Sequence, residues 1–346
     1  MSTDAKSGPQ TAERHHPPRI SWYRCPVPRE QLSKLNRRSD IKGLAQSLGY
    51  LLTLAATGFA AYAAVGRLNW VFVAMLLFLH GTCYAFLING VHELVHDSVF
   101  KTRWPNRFFL AIFSFLGWHN PVWFWASHTE HHKYTLHQPD DLEVVLPTKL
   151  SLWNFIQGGF VNVSGFYFTL RNTFAAALGI RLSRWDKHLF PDRNSPNRRR
   201  WSSWAMILLL GHGLIIGLSI YFGLWMLPVV TSLAPFYGGA IQFLCNNTQH
   251  IGLKDSVPDY RLCCRTIYLN PLLQFLYWHM NYHTEHHMYA AVPCYNLGKL
   301  HRLIKSDMPR CSRGLVQTWL EIGRILQRQK VDETYQYAPP LPASGD

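Results

Sequence analysis

Three short stretches of this chain concentrate the groups that could do chemistry. Residues 92–96 read "HELVH", residues 128–132 read "HTEHH", and residues 283–287 read "HTEHH" again. On a helix, positions i, i+3 and i+4 share one face, so each stretch can aim its imidazoles at one point. The histidines concerned are His92, His96, His128, His131, His132, His283, His286 and His287, with His250 standing alone after an apolar run. Together they exceed what one tetrahedral zinc can take. Neutral imidazole suits iron, zinc, copper or nickel, whereas magnesium and calcium prefer oxygen, and this set divides sensibly over two metals with four or five donors each. A pair of irons is the version whose chemistry needs two redox centres, because reductive cleavage of dioxygen takes several electrons. In that role the histidines hold the metals and abstract no hydrogen themselves.

"HELVH" also fits HExxH, the zinc-protease pattern, with Glu93 as general base. The two HxxHH stretches weigh against it, since a zinc protease has no use for the further imidazoles. Metal-bound imidazoles usually give their other N–H to a carboxylate or carbonyl. The acids in or near the stretches are Glu93, Asp97, Glu130, Asp140, Asp141, Glu143 and Glu285. Of these, Glu93, Glu130, Asp141 and Glu285 are the candidates to orient ligands. Glu130 and Glu285 hold the same place in two identical pentads, which predicts equivalent jobs. Of the remaining histidines, His80 and His212 read as hydrogen-bonded residues inside spans, and His119, His137, His188, His279 and His301 as surface or supporting groups, His279 nearest the site.

The elements that must position these residues belong to a membrane protein. Apolar residues make up 48% of the 346 and charged residues 16%, well under the quarter usual in soluble domains. The mean hydropathy of −0.06 shows that much of the chain lies outside the bilayer. Residues 46–65 and 70–90 each suffice for a spanning helix of roughly 20 residues and form a hairpin. Residues 204–223 and 224–245 form a second, with Pro228 and Pro235 in the returning arm. Residues 108–126 are apolar but broken at "GWHNP", where Pro121 interrupts a helix, so a surface-lying or re-entrant segment is expected. Residues 152–178 carry Asn154, Gln157, Asn162, Arg171 and Asn172, which lipid disfavours, and are expected to be interfacial or to line the pocket.

The expected class is therefore all-α: a polytopic membrane protein with about four transmembrane helices in two hairpins, interfacial helices and a cytoplasmic metal-binding cap. Residues 1–42 read as a polar, loosely attached tail, 43–305 as the transmembrane catalytic domain, and 306–346 as a cytoplasmic C-terminal segment. The formal charge of +14 sits in segments between the apolar runs, which suits anionic lipid heads and puts both termini and the metal site in the cytoplasm. Nucleic acid is not an expected partner. The seven cysteines form no CxxC pair and their number is odd, so neither a disulfide framework nor a thiolate site is expected. No secretory signal is visible in the first 40 residues.

The order HxxxH, HxxHH, HxxHH, with one hydrophobic hairpin before the first box and another between the second and third, resembles the membrane fatty-acid desaturase/hydroxylase superfamily over roughly residues 45–305. The resemblance implies a di-iron centre that activates dioxygen, held by the eight box histidines and His250 in "NNTQH". Asn246 is similar to an asparagine that holds an iron-bound water in acyl-CoA desaturases, and Asn247 competes for that part. The third box begins with His283 rather than glutamine, and no fused cytochrome b5 domain is expected. Both features depart from front-end desaturases and imply a separate electron donor such as ferredoxin, rubredoxin or cytochrome b5 with its reductase. The function implied is oxygen-dependent desaturation of a fatty-acyl chain or related lipid. The alternative is a di-iron hydroxylase or monooxygenase acting on a lipid, alkane, carotenoid or small substrate. The expected location is a bacterial inner membrane.

Overall fold

The structure is a computed structural model that describes residues 19–148 and 150–342. Its helices are α1 (Arg29–Leu35), α2 (Asp40–Ala64), α3 (Trp70–Ala85), α4 (Leu87–Val95), α5 (Arg103–Leu116), α6 (Pro121–Tyr134), α7 (Leu152–Gly159), α8 (Val163–Ala177), α9 (Arg184–Leu189), α10 (Pro196–Tyr221), α11 (Met226–Val230), α12 (Ala240–Asn246), α13 (Tyr260–Cys263), α14 (Pro271–Leu276), α15 (His283–Met288), α16 (Cys294–Ile304) and α17 (Gly314–Val331). A two-residue parallel pairing of Ile267–Tyr268 with Ser312–Arg313 is the only named sheet among the described residues, so the fold is all-α.

Among the described residues, three helices are long and apolar enough to cross a membrane: Asp40–Ala64, Trp70–Val95 and Pro196–Tyr221. Their outer faces carry exposed large apolar side chains, including Phe59, Met75, Leu210 and Ile220. Such a band is the mark of a lipid-facing surface. Local chemistry sets their starts. Ser39 accepts from Lys42 N at the head of α2, Asn69 from Val71 N at the head of α3, and Ser195 from Arg198 N at the head of α10. These are the side chains that best satisfy the first free N–H groups of a helix. α2 and α3 are joined by a short connection and pack along each other. The α3–α4 helix breaks at Phe86, just past the point where the Tyr50 hydroxyl donates to Cys83 O at 2.6 Å.

The expected second hairpin takes another form. Residues 224–245 are not one helix but α11, a 3-10 turn at Ala234–Phe236, and α12. Pro228 and Pro235 lack the N–H that would continue a helix. Gly238 adopts a left-handed φ of +72° and donates its N–H to Phe160 O at 2.9 Å. The segment packs against α3 and α7, while α10 packs along α8. The break expected at "GWHNP" is present: α5 ends at Leu116, and α6 begins with Pro121 at its first position, where proline is tolerated.

The segment before α2 is not loosely attached. Trp22 stacks on Tyr260 with ring centroids 4.2 Å apart and donates Nε1–H to Lys133 O at 2.9 Å. The Tyr23 hydroxyl donates to Asp307 Oδ2 at 2.6 Å, and Cys25 is fully buried. Residues 22–25 thus strap the second histidine box to the C-terminal third of the chain. Residues 1–18 of the expected tail lie outside the described residues. The main core, with Tyr50, Phe113, Tyr277 and Trp278 wholly buried, lies directly behind the histidine boxes.

Candidate metal centre

All nine expected histidines converge, and they do so in two groups. His92, His96, His128, His132 and His286 form one; His131, His250, His283 and His287 form the other; within each, one donor nitrogen per residue lies within 4.8 Å of all the rest. The division follows from helix geometry. In each pentad the i and i+4 residues lie nearly above one another, while i+3 faces slightly to the other side. On α6 the pair His128 and His132 serves the first group and His131 the second. On α15 the pair His283 and His287 serves the second group and His286 the first. Each identical pentad therefore gives to both groups, in opposite sense. The first box, at the end of α4, completes the first group, and His250, after α12, completes the second.

Several rings have their outward nitrogen fixed. His131 Nδ1 lies 2.8 Å from Asp141 Oδ2, His128 Nδ1 lies 2.9 Å from Glu143 Oε1, and His250 Nδ1 lies 2.8 Å from Cys263 O. The Thr135 hydroxyl donates to His131 O at 2.7 Å, so it accepts from His287 Nδ1 at 3.2 Å. With Nδ1 carrying the proton, Nε2 presents a bare lone pair inward. Those inward nitrogens crowd: His132 to His128 at 2.9 Å, His132 to His286 at 3.1 Å, His283 to His250 at 2.8 Å, and His287 to His283 at 3.1 Å. His132 and His283 each face two such nitrogens, so a single Nε2 proton could bridge only one of the two contacts, whereas a cation among them satisfies the whole set. His92 Nδ1 and Nε2, and His96 Nε2, are buried without a hydrogen-bond partner. Buried polar atoms are normally satisfied, so the donor set fits a metal.

Burial keeps these rings neutral. It pushes His128, His132, His283, His286 and His287 well below the ordinary histidine value, with the neighbouring imidazoles adding to the effect. It brings His96 down to about 4 and His250 to about 3. His131 is the exception. Burial lowers it too, but the Asp141 carboxylate outweighs burial and holds it above the ordinary value.

The supporting acids divide unequally. Asp141 is completely buried; besides His131 it accepts from Leu136 N at 2.8 Å and Glu143 N at 2.9 Å. Glu143, one of seven nearby acids in the sequence but not singled out there, holds His128 and accepts from the Ser127 hydroxyl at 2.5 Å. Glu93 is 1% exposed, and its Oε1 lies 3.5 Å from His92 Nδ1 and 3.4 Å from His286 Nδ1. Its carboxylate thus stands beside rings from two boxes.

The expected equivalence of Glu130 and Glu285 fails. Glu130 accepts from Lys133 Nζ at 2.8 Å on the open side of α6. Glu285 is fully buried and accepts from Thr266 Oγ1 and His301 Nδ1, each at 2.5 Å. Neither touches a box imidazole in the way Asp141 does. Asn246 stands exposed at the end of α12. His80 and His212 are hydrogen-bonded core residues as expected, to Thr57 and Val230 and to Ser232 and Phe115 respectively. His279 is half-buried next to the third box and belongs to neither group.

Residues 68–319 match the fatty acid desaturase family, and the chain belongs to that family. It is similar to the sphingolipid delta(4)-desaturase DES1 of Pongo abelii, 31% identical over 109 residues, which is 30% of this chain and 33% of that protein. It is similar also to the Bos taurus protein of the same name, 32% identical over 124 residues, which is 34% of this chain and 37% of that protein. The chain thus spans about a third of the length of these curated relatives.

Proposed function

We propose that this chain is an oxygen-dependent lipid desaturase whose nine histidines hold two iron ions, five donors to one and four to the other. The observation that carries this reading is the pair of adjoining imidazole groups with their inward nitrogens in mutual contact. Bound there, a pair of irons supplies the redox chemistry of dioxygen. The protein's own part is to fix the rings through Asp141, Glu143, Thr135 and the Cys263 carbonyl, and to keep bulk water from them by burial.

The balance of the reaction is set by its reactants. Two adjacent methylenes lose one hydrogen each, a C=C bond forms, and dioxygen takes up these hydrogens with two further protons and two electrons to leave two waters. The electrons require a separate donor of the ferredoxin, rubredoxin or cytochrome b5 type. The substrate is an acyl chain or related lipid. Hydroxylation of the same chain would follow if the oxygen atom returned to carbon, and product analysis separates the two.

The location proposed is a bacterial inner membrane, with both termini and the histidines on the cytoplasmic face. The position of His250 supports four crossings. α10 leads away from the side where α4 ends, yet His250 stands in one group with His131, so the broken segment after α10 has brought the chain back. Expression in a host membrane, with iron content and lipid double bonds measured beside a His131→Ala chain, tests the reading. Bound iron with new double bonds, both diminished in the variant, is the expected result; zinc in place of iron with unchanged lipids would overturn it.

A further inference from the structure

A cavity of about 370 Å³ lies among the start of α6, α8, α9 and the first turns of α10, and no residue of either histidine group lines it. Its volume is in the range that ligand sites occupy. Thr169, Asn172, Thr173 and Ala176 are spaced i, i+3, i+4 and i+7, so one face of α8 forms a wall, polar at three of those four positions. The opposite side of the same helix exposes Tyr167, Phe174 and Leu178. Two charges of opposite sign also line the cavity and do not meet. The Asp186 carboxylate accepts from Trp123 Nε1 at 2.8 Å and from Ser183 N at 2.9 Å, but among the described residues it has no cationic partner. The Arg171 guanidinium stands 5.5 Å from the centre of the Phe168 ring and, among the described residues, has no hydrogen bond or ion pair. An arginine on an otherwise apolar interfacial helix is costly unless an anion meets it. The level in the membrane can also be placed. α10 opens with Arg198, Arg199 and Arg200 and begins its apolar run at Trp204, and Trp201, Ala205 and Leu208 face the cavity. That is where a spanning helix passes from water to hydrocarbon, the depth at which tryptophans and lipid headgroups gather.

We propose that this cavity holds the headgroup of a zwitterionic glycerophospholipid, its phosphate at Arg171 and Asn172 and its ammonium at Asp186 beside the Trp123 ring. Guanidinium and amide N–H groups suit phosphate oxygens, and a carboxylate next to an indole suits an ammonium. A ligand that carries both charges satisfies both walls. An anion alone would leave Asp186 facing a like charge, and a cation alone would do the same to Arg171. The exposed Met206 and Ile207 of α10, with Phe174 and Leu178 of α8, give two acyl tails an apolar surface to follow into the bilayer. A soluble phosphoamine has no use for that surface, so the source is the membrane. The lipid is a resident of the fold, and this holds whatever reaction the histidines support. Its headgroup ties α8 and α9 to the start of α6, the helix that carries His128, His131 and His132.

The test uses the full-length, metal-loaded protein in detergent, incubated with defined dioleoyl lipids, with the lipid retained per chain counted by native mass spectrometry. Phosphatidylethanolamine is expected to stay bound at one per chain, about tenfold or more above phosphatidylglycerol at equal concentration. Arg171→Gln and Asp186→Asn are each expected to lower that retention about tenfold, the level of one hydrogen bond to a charged group, at parental metal content. Phosphatidylglycerol held as well as phosphatidylethanolamine, or Asp186→Asn without effect, overturns the zwitterion. Glycerophosphoethanolamine, which has the headgroup and no tails, is the competitor; displacement of the lipid by an equal concentration of it would assign the cavity to a soluble ligand and overturn the lipid. No retained lipid, or equal retention of every lipid including uncharged diacylglycerol, overturns the site. Asp186 also caps α9, so if its variant unfolds or loses metal, Asn172→Leu decides: its side chain is exposed and caps nothing, and unchanged retention there removes the phosphate from this wall.

Discussion

Nε2 of His250 and Nε2 of His283 lie 2.8 Å apart, on residues 33 positions from each other in the chain. His250 Nδ1 is committed to the Cys263 carbonyl, so the nitrogen facing His283 has no proton to offer. His283 Nε2 also faces His287 Nε2 at 3.1 Å, so one proton there could serve only one of its two neighbours, whereas a cation among the three is held by all of them. Removing metal with a chelator is therefore expected to lower thermal stability in detergent and adding ferrous iron to restore it. A ligand held at a hundred times its Kd contributes about 2.7 kcal/mol. Equal melting temperatures with and without metal would count against the centre.

The two groups should respond unequally to loss of one donor. His96→Ala leaves four imidazoles in its group, whereas His131→Ala leaves three. Iron per chain is expected to fall further in His131→Ala, as read by elemental analysis of purified protein. The reverse order would mean that the division into groups is wrong.

Outer partners should matter according to what they touch. Asp141→Asn weakens the hold on His131 and is expected to cost about 10–100-fold in metal affinity. Glu285→Gln removes a buried charged partner of His301 and Thr266, for a loss of about 1.5–3 kcal/mol of stability. Glu130→Gln touches only a surface lysine and is expected to change stability by less than about 1 kcal/mol. Matching effects in the last two would restore the equivalence that the pentads suggest.

Gly238 offers a test of the broken segment. Its φ is +72°, and a Cβ there would lie 2.5 Å from Phe78 O, against the backbone of α3. Gly238→Ala is expected to cost more than about 1 kcal/mol, since alanine meets both strain and collision. Unchanged yield and melting temperature would show that the segment packs differently.

Acid should destabilise the metal-free chain. Burial brings His96, His119 and His279 down to about 4 from an ordinary 6.5. Between those values the unfolded chain binds more protons than the folded one, so stability rises with pH across that window and is lost as pH falls toward 4. Denaturation midpoints of metal-free protein measured from pH 7 to pH 4 should decline steadily. A flat profile would mean that these rings are wetter than their packing indicates.

The ligand set was legible because each pentad is a local helical pattern, and six of the nine donors needed nothing more than i, i+3 and i+4. His250 stands outside any such pattern, and its place between Cys263 and His283 depends on packing that no local pattern encodes. Identical pentads hid different surroundings, because what meets Glu285 is α16 and what meets Glu130 is open space. Glu143 and Thr135 reach their histidines through the turn that follows α6, and a sequence does not show which way a turn folds back. The broken segment departs from a single span for a simpler reason: its apolar length suffices for one, and its two prolines and Gly238 act together where each alone would only bend a helix.

The strap ties the order of manufacture to the finished centre. Tyr23 and its partner Asp307 are 284 residues apart, and a ribosome adding about 5–20 residues per second needs roughly a quarter of a minute to a minute to bridge that distance. Tyr260 itself follows His132 by 128 residues, and until it is made Trp22 has no ring to stack on beside the second histidine box. Any metal that fits this centre has a generous opening while the chain is young, and a much narrower one once its last third has emerged.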